Sequence, residues 1–170
     1  MAGKVKALIG KFNEAKANFR NTEAQRVAIE KVETILSNES GFIINEAYKA
    51  LRTNIIFTLS NIDRKCKKII VTSASPGEGK TTTLSNLAYV CAQAGYSTLM
   101  VDADLRRPRL ARYAEMKSEV GLSSYLSGAA ELKDVVFQTG HENLYMMPSG
   151  PVPVDPRGLI GSHRMQTMLS

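Results

Sequence analysis

The stretch that most limits what this chain can become is Ser73-Ala74-Ser75-Pro76-Gly77-Glu78-Gly79-Lys80-Thr81-Thr82. It follows the β-branched run Ile69-Ile70-Val71-Thr72 and precedes a helical apolar pattern. The order strand, phosphate loop, helix belongs to α/β folds. Successive backbone N–H groups in such a loop, with the positive end of the next helix, cradle phosphate oxygens. Gly77 and Gly79 are expected to allow close backbone approach. Lys80 supplies a point charge for the β- and γ-phosphates, and the Thr81 hydroxyl is placed to ligate Mg²⁺. The expected nucleotide site is therefore Ser75, Pro76, Gly77, Glu78, Gly79, Lys80, Thr81 and Thr82. The strict motif carries Gly where this chain has Ala74. A bland Gly-rich turn is the competing reading, opposed by the strand before it and the helix after it.

Length and composition narrow the class. The 170 residues, 44% hydrophobic and 22% charged, suffice for one buried core. Apolar runs are broken by charges well short of the ~20 residues that a membrane helix needs. No signal-peptide core is read at the amino terminus. The two cysteines, Cys66 and Cys91, show no metal or disulfide spacing and fit a reducing compartment. The net charge of +6 is scattered and carries no aromatic interleaving, so nucleic acid is not the expected partner.

Residues 1–40 read as a helical basic arm. Leu8, Phe12, Ala15 and Phe19 recur at helical spacing beside Lys4, Lys11 and Lys16. Thr22 to Gln25 has capping-box spacing ahead of Ala28, Val32 and Ile35, which predicts a second helix. Such an arm could meet a membrane surface or a partner, or could pack on its own domain. Asn38-Glu39-Ser40-Gly41 forms a joint, and Asn45 is read as the cap of a helix from Glu46 to Leu59. Leu51, Ile55 and Leu59 are expected inside that helix, with Glu46, Lys49 and Arg52 along the other side. That charged stripe is either a solvated face or a surface that pairs with a neighbouring subunit.

A second strand, Ser97 to Asp104, ends in Asp102 and Asp104, which places both carboxylates at the carboxyl edge where open α/β sheets bind ligands. A role as mere turn formers is the alternative. Leu105-Arg106-Arg107-Pro108-Arg109 adds a basic cluster suited to phosphate or an acidic partner. Further on, Gly121 to Gly128 reads as a short helix and Asn143 to Met147 as a third strand. The run Pro148-Ser149-Gly150-Pro151-Val152-Pro153 cannot continue a sheet. A final helix after Asp155-Pro156 carries Leu159, Ile160, Met165 and Met168.

Four of these segments, in this order, resemble the bacterial tyrosine kinases of capsule and exopolysaccharide synthesis, the CpsD/CapB type. They are Glu46 to Asn54, Thr72 to Thr82, Val101 to Pro108 and Pro148 to Pro153. The resemblance covers about Asn45 to Ser170. It implies a phosphate-loop NTPase-like α/β fold, a mostly parallel sheet flanked by helices, here with the helical arm at its amino end. Residues 41–170 would be the kinase domain, incomplete at the carboxyl end. Lys80 and Thr81 match the Walker A lysine and hydroxyl, and Asp102 and Asp104 match the Walker A′ pair. Lys80, Asp102 and Asp104 are thereby the expected catalytic residues, and Thr81 with Asp104 the expected Mg²⁺ ligands, partly through water. Glu46, Lys49 and Arg52 fall on an assembly motif that joins subunits into a ring, with Lys49 in place of an arginine.

The resemblance also implies ATP and Mg²⁺, protein tyrosine substrates, and a transmembrane polysaccharide co-polymerase or adaptor whose cytoplasmic tail activates the kinase. The expected place is the cytoplasm, peripheral to the inner face of the membrane. The Walker B strand and the tyrosine-rich tail are expected beyond Ser170, so transfer by this chain alone is expected to be slow. The six tyrosines present are scattered singly. Two other readings stand beside the kinase: a catalytically silent nucleotide-binding module of the same family, and an ATPase of the DNA-partitioning or division-site type. The latter usually carries a second lysine where this chain has Ser75-Pro76.

Overall fold

The computed structural model describes residues 42–63, 66–113 and 119–170. The arm expected over residues 1–40 lies outside the described residues. Three short strands, β1 (Thr98–Val101), β2 (Phe137–Gln138) and β3 (Leu144–Met147), form one sheet in the order β1-β3-β2. β1 and β3 are parallel, with Thr98 opposite Leu144 and Val101 opposite Met147, while β2 runs antiparallel to β3. All four β3 residues are buried, as a strand covered on both faces requires.

The period-2 alternation of strand side chains sorts the core into two layers. Met100, Leu144 and Met146 meet Ala88 and Ala92 on one face. Tyr145 and Met147 share the other cluster with Leu122, Tyr125, Leu126 and Val135, against which Leu99 and Val101 also pack. Helices supply both covers. α1 (Phe42–Leu59) and α2 (Lys80–Gln93) pack together, and α2 lies on β1. After β1 come α3 (Leu110–Tyr113), α4 (Leu122–Ser127) and α5 (Leu132–Val135), and after β3 come α6 (Pro156–Ile160) and α7 (His163–Leu169). Leu159 of α6 and Met165 and Met168 of α7 close the second cluster.

α2 ends as its sequence predicts. Gly95 adopts φ 86°, and the last turn tightens so that Ala94 N–H bonds the Cys91 carbonyl. Gly121 has a different constraint. Its α-carbon lies so close to the loop after β3 that an added Cβ would come within 2.3 Å of Gly150 N and Pro148 O. Leu122 N–H and Ser123 N–H donate to the Pro148 and Ser149 carbonyls at 2.8 Å. The Pro-rich run is thus fastened to the start of α4.

Several expectations are corrected. Ile69 to Thr72 forms no strand, and Ile70 is 85% exposed. Strand propensity needs a ladder partner, and among the described residues β1 is paired only with β3. The expected final helix is two helices. Asp155 caps α6, its carboxylate accepting Gly158 N–H, and Ser162 caps α7 by accepting Met165 N–H. α1 begins at Phe42 rather than after Asn45, and none of its residues is fully buried. Leu51 is exposed, whereas Tyr48 and Ile55 pack on Leu87, Tyr89 and Val90. Arg52 also turns inward: it donates to the Val90 carbonyl at 2.9 Å, which the tightened end of α2 leaves without its helical donor.

Candidate nucleotide-binding site

The turn 94–97 folds β1 back along α2, so the amino end of α2 and the carboxyl end of β1 lie at the same edge of the sheet. At that edge Gly77 and Gly79 adopt φ 84° and 89°. The space where their Cβ atoms would project is open, so the glycines are required here by left-handed backbone rather than by crowding. Gly79 is the N-cap of α2 and offers no side chain, so the first N–H groups of a 14-residue helix are capped by no side chain of their own N-cap. Such an end favours an anion.

Lys80 folds back over the loop. Its ammonium donates to Ser73 Oγ at 2.9 Å and to the Ser75 carbonyl at 3.4 Å. Ser73 Oγ in turn donates to the same carbonyl at 3.0 Å. Glu78 Oε2 accepts the Ser75 N–H at 3.2 Å, and that bond, with Ser73 and the Lys80 charge, holds the Glu78 carboxyl below its ordinary value. An internal carboxylate thus takes a loop donor of the kind that phosphate oxygens use. The Ser73 hydroxyl is the one member that sequence reasoning passed over, although its place seven residues before Lys80 was the available signal.

Asp102 directly follows β1 and is buried. Its Oδ1 accepts Asp104 N–H at 3.1 Å, and its Oδ2 accepts Leu110 N–H at 2.9 Å and Arg109 N–H at 3.2 Å. Burial raises the Asp102 carboxyl above its ordinary value, against these hydrogen bonds, which pull it down; the nearby Asp104 charge adds to the rise. Much of this side chain therefore organises the turn between β1 and α3. Asp104 is exposed, and one of its oxygens accepts Arg107 N–H at 3.0 Å. Arg106, Arg107 and Arg109 are exposed at this edge, with the Arg107 and Arg109 main chains pinned to the two carboxylates.

No cluster of three or more His, Cys, Asp or Glu suited to a metal occurs among the described residues. Thr81 in the first turn of α2 and the exposed Asp104 after β1 offer a hydroxyl and a carboxylate, oxygen donors of the type that Mg²⁺ takes. The stripe proposed for assembly is divided. Lys49 pairs with Glu46 at 2.9 Å on the exposed side of α1, while Arg52 reaches α2. A separate cavity of about 340 Å³ lies at the opposite edge, lined by Tyr89, His141 and Asn143 among others. It is remote from the phosphate loop.

Residues 69–160 match the family described as the CobQ/CobB/MinD/ParA nucleotide binding domain. The chain is 38% identical over 134 residues to tyrosine-protein kinase YwqD of Bacillus subtilis, which covers 79% of this chain and 56% of that protein. It is 40% identical over 125 residues to tyrosine-protein kinase CpsD of Streptococcus pneumoniae, covering 73% and 53%. Among solved structures, the chimerical protein CapA2B2 superposes with a TM-score of 0.72 at 36% identity, over 79% of this chain and 58% of that one. The kinase domain of the Escherichia coli tyrosine kinase ETK does so with a TM-score of 0.69 at 36% identity, over 74% and 48%. The chain spans about half the length of the curated relatives it matches.

Proposed function

Because the chain belongs to the CobQ/CobB/MinD/ParA nucleotide-binding domain family, we propose that it binds ATP with Mg²⁺ and takes part in phosphoryl transfer to protein tyrosine in the control of capsular or extracellular polysaccharide synthesis. The observation that carries this reading is the phosphate loop itself. Lys80 is folded back on Ser73 of a loop with two left-handed glycines, at the amino end of a helix whose N-cap is glycine, with a carboxylate pair at the same sheet edge.

In this reading Lys80 leaves Ser73 and Ser75 to meet the phosphates, and the first N–H groups of α2 orient them. Thr81 and Asp104 hold Mg²⁺, Asp104 partly through water. When bound, the metal neutralises charge on the transferred group. A tyrosine hydroxyl, with a pKa of ~10, holds its proton at neutral pH. Asp102 is assigned to receive that proton, since burial makes its carboxylate more basic than an exposed one. Glu46 and Lys49 are assigned to contacts between subunits, with Arg52 holding their helix against α2. Residues 41–170 are assigned to the kinase domain and 1–40 to a separate arm.

The partner assigned is a transmembrane adaptor that recruits the protein to the inner face of the membrane. Among the described residues no helix is long and apolar enough to cross a membrane. A binding-only module is the second reading, favoured by the engagement of both Asp102 oxygens with backbone donors. Calorimetric titration with Mg²⁺-ATP, followed by radiolabelled phosphate transfer to a tyrosine peptide, separates the two. Binding with transfer supports the kinase, and binding without transfer supports the module. Absence of binding overturns both.

A further inference from the structure

Residues 105–109 carry three arginines that the phosphate site leaves unused. Arg106, Arg107 and Arg109 are all exposed, and among the described residues none of their guanidiniums forms an ion pair. Like charges so close in the chain repel one another, so the cluster does not serve the fold. The turn that bears them is nevertheless fixed at several points. Leu105 and Leu110, at its two ends, are buried in separate core clusters. Two carboxylates are spent on its main chain: Asp104 accepts Arg107 N–H, and Asp102 accepts Arg109 N–H and Leu110 N–H. A main chain held in this way, with its guanidinium forks turned to solvent, is a preorganised receptor for carboxylates.

We propose that this turn reads acidic residues on either side of the tyrosine to be phosphorylated, so that the substrates are acidic tyrosine segments. The inference rests on Asp102 as the proton acceptor proposed above. The turn closes around that carboxylate, with Arg109 N–H 3.2 Å from its Oδ2. A tyrosine whose hydroxyl reaches Asp102 therefore brings its neighbours, spaced about 3.3–3.6 Å along an extended peptide, over the arginines. Glutamate or aspartate there forms charge-assisted, two-pronged pairs with guanidinium that a neutral amide cannot. The nucleotide phosphates are the other anion at this edge, but Lys80 and the amino end of α2 already serve them in the same reading.

The test uses the full chain with Mg²⁺-ADP and fluorescently labelled peptides in which one tyrosine is flanked by glutamates, by glutamines or by lysines. Anisotropy titration at low salt is expected to give about tenfold tighter binding of the glutamate peptide than of the glutamine peptide. Arg107→Glu with Arg109→Glu should abolish that preference and favour the lysine peptide. Lys133→Glu with Arg157→Glu makes the same change of net charge at two other exposed positions and should keep the preference. Equal affinities of the unaltered chain for the first two peptides, binding of neither, or the same loss in both double variants overturns the inference. Arg107→Gln with Arg109→Gln removes the forks without adding negative charge, and its affinity for Mg²⁺-ATP is expected to be unchanged. Weakened nucleotide binding by that variant would assign the arginines to phosphate and overturn the inference, whereas no binding of Mg²⁺-ATP by the unaltered chain would overturn the functional reading beneath it.

Discussion

The Lys80 ammonium sits 2.9 Å from the Ser73 hydroxyl, so the positive charge of the phosphate loop is folded back onto the loop's own first residue. A nucleotide must exchange these contacts for phosphate oxygens. Lys80→Met removes the charge that makes the exchange favourable, and hydrogen bonds to charged groups are worth about 1.5–3 kcal/mol. Binding of Mg²⁺-ATP is expected to weaken by roughly ten- to a hundredfold. Calorimetric titration of the two proteins checks this; equal affinities would remove Lys80 from the site.

Arg52 joins two helices that also meet through half-buried Tyr48 and Ile55 of α1 on buried Leu87, Tyr89 and Val90 of α2. Arg52→Ala leaves the Val90 carbonyl without its donor and is expected to cost about 1–3 kcal/mol in urea unfolding. Lys49→Ala, on the exposed side, breaks a pair worth ~0.3–0.5 kcal/mol and is expected to leave the midpoint nearly unchanged. A reversed order of the two effects would contradict the inward placement of Arg52.

Gly121→Ala tests the fastening of the Pro-rich loop. The added methyl would lie 2.3 Å from Pro148 O, so α4 and the loop must separate and lose the Leu122 and Ser123 hydrogen bonds. A loss of at least about 1–3 kcal/mol is expected, as for overpacking in a core. Thermal unfolding reads it, and an unchanged midpoint would refute the close approach.

Asp102 gives a pH signature with a definite sign. Its folded carboxyl titrates above the 3.8 of the unfolded chain, so the native state holds the proton more tightly. The stabilisation this provides is complete below 3.8 and is lost as pH rises through the raised folded value. Asp102→Asn should remove that pH dependence, and the exchange of one acceptor oxygen for a donor should cost about 1–3 kcal/mol on its own. Urea unfolding of both proteins across the acid range is the measurement. Parallel pH profiles would mean that Asp102 is not desolvated.

The loop, the helix after it and the two aspartates were readable because Gly, Lys and Asp at those spacings answer local demands: left-handed backbone, a cation, a strand end. Arg52 was misread for the opposite reason. Its spacing placed it with Glu46 and Lys49, but what turns it inward is a carbonyl released 38 residues later in the chain. Ile69 to Thr72 has every local mark of a strand, yet a strand is made by its neighbours. The two-residue β2 and the four-residue α5 are too short to leave a periodic pattern.

The unpaired run into the phosphate loop has a consequence for ligand choice. Among the described residues no ladder lies beneath Val71 and Ser73, and the loop is tied down through α2. A ligand that touches only the helix end leaves the upstream side as it is. A polyphosphate long enough to reach both Lys80 and the upstream N–H groups splints the two sides together and bears the entropic cost of doing so. Discrimination at such a site would follow the number of phosphates and their span.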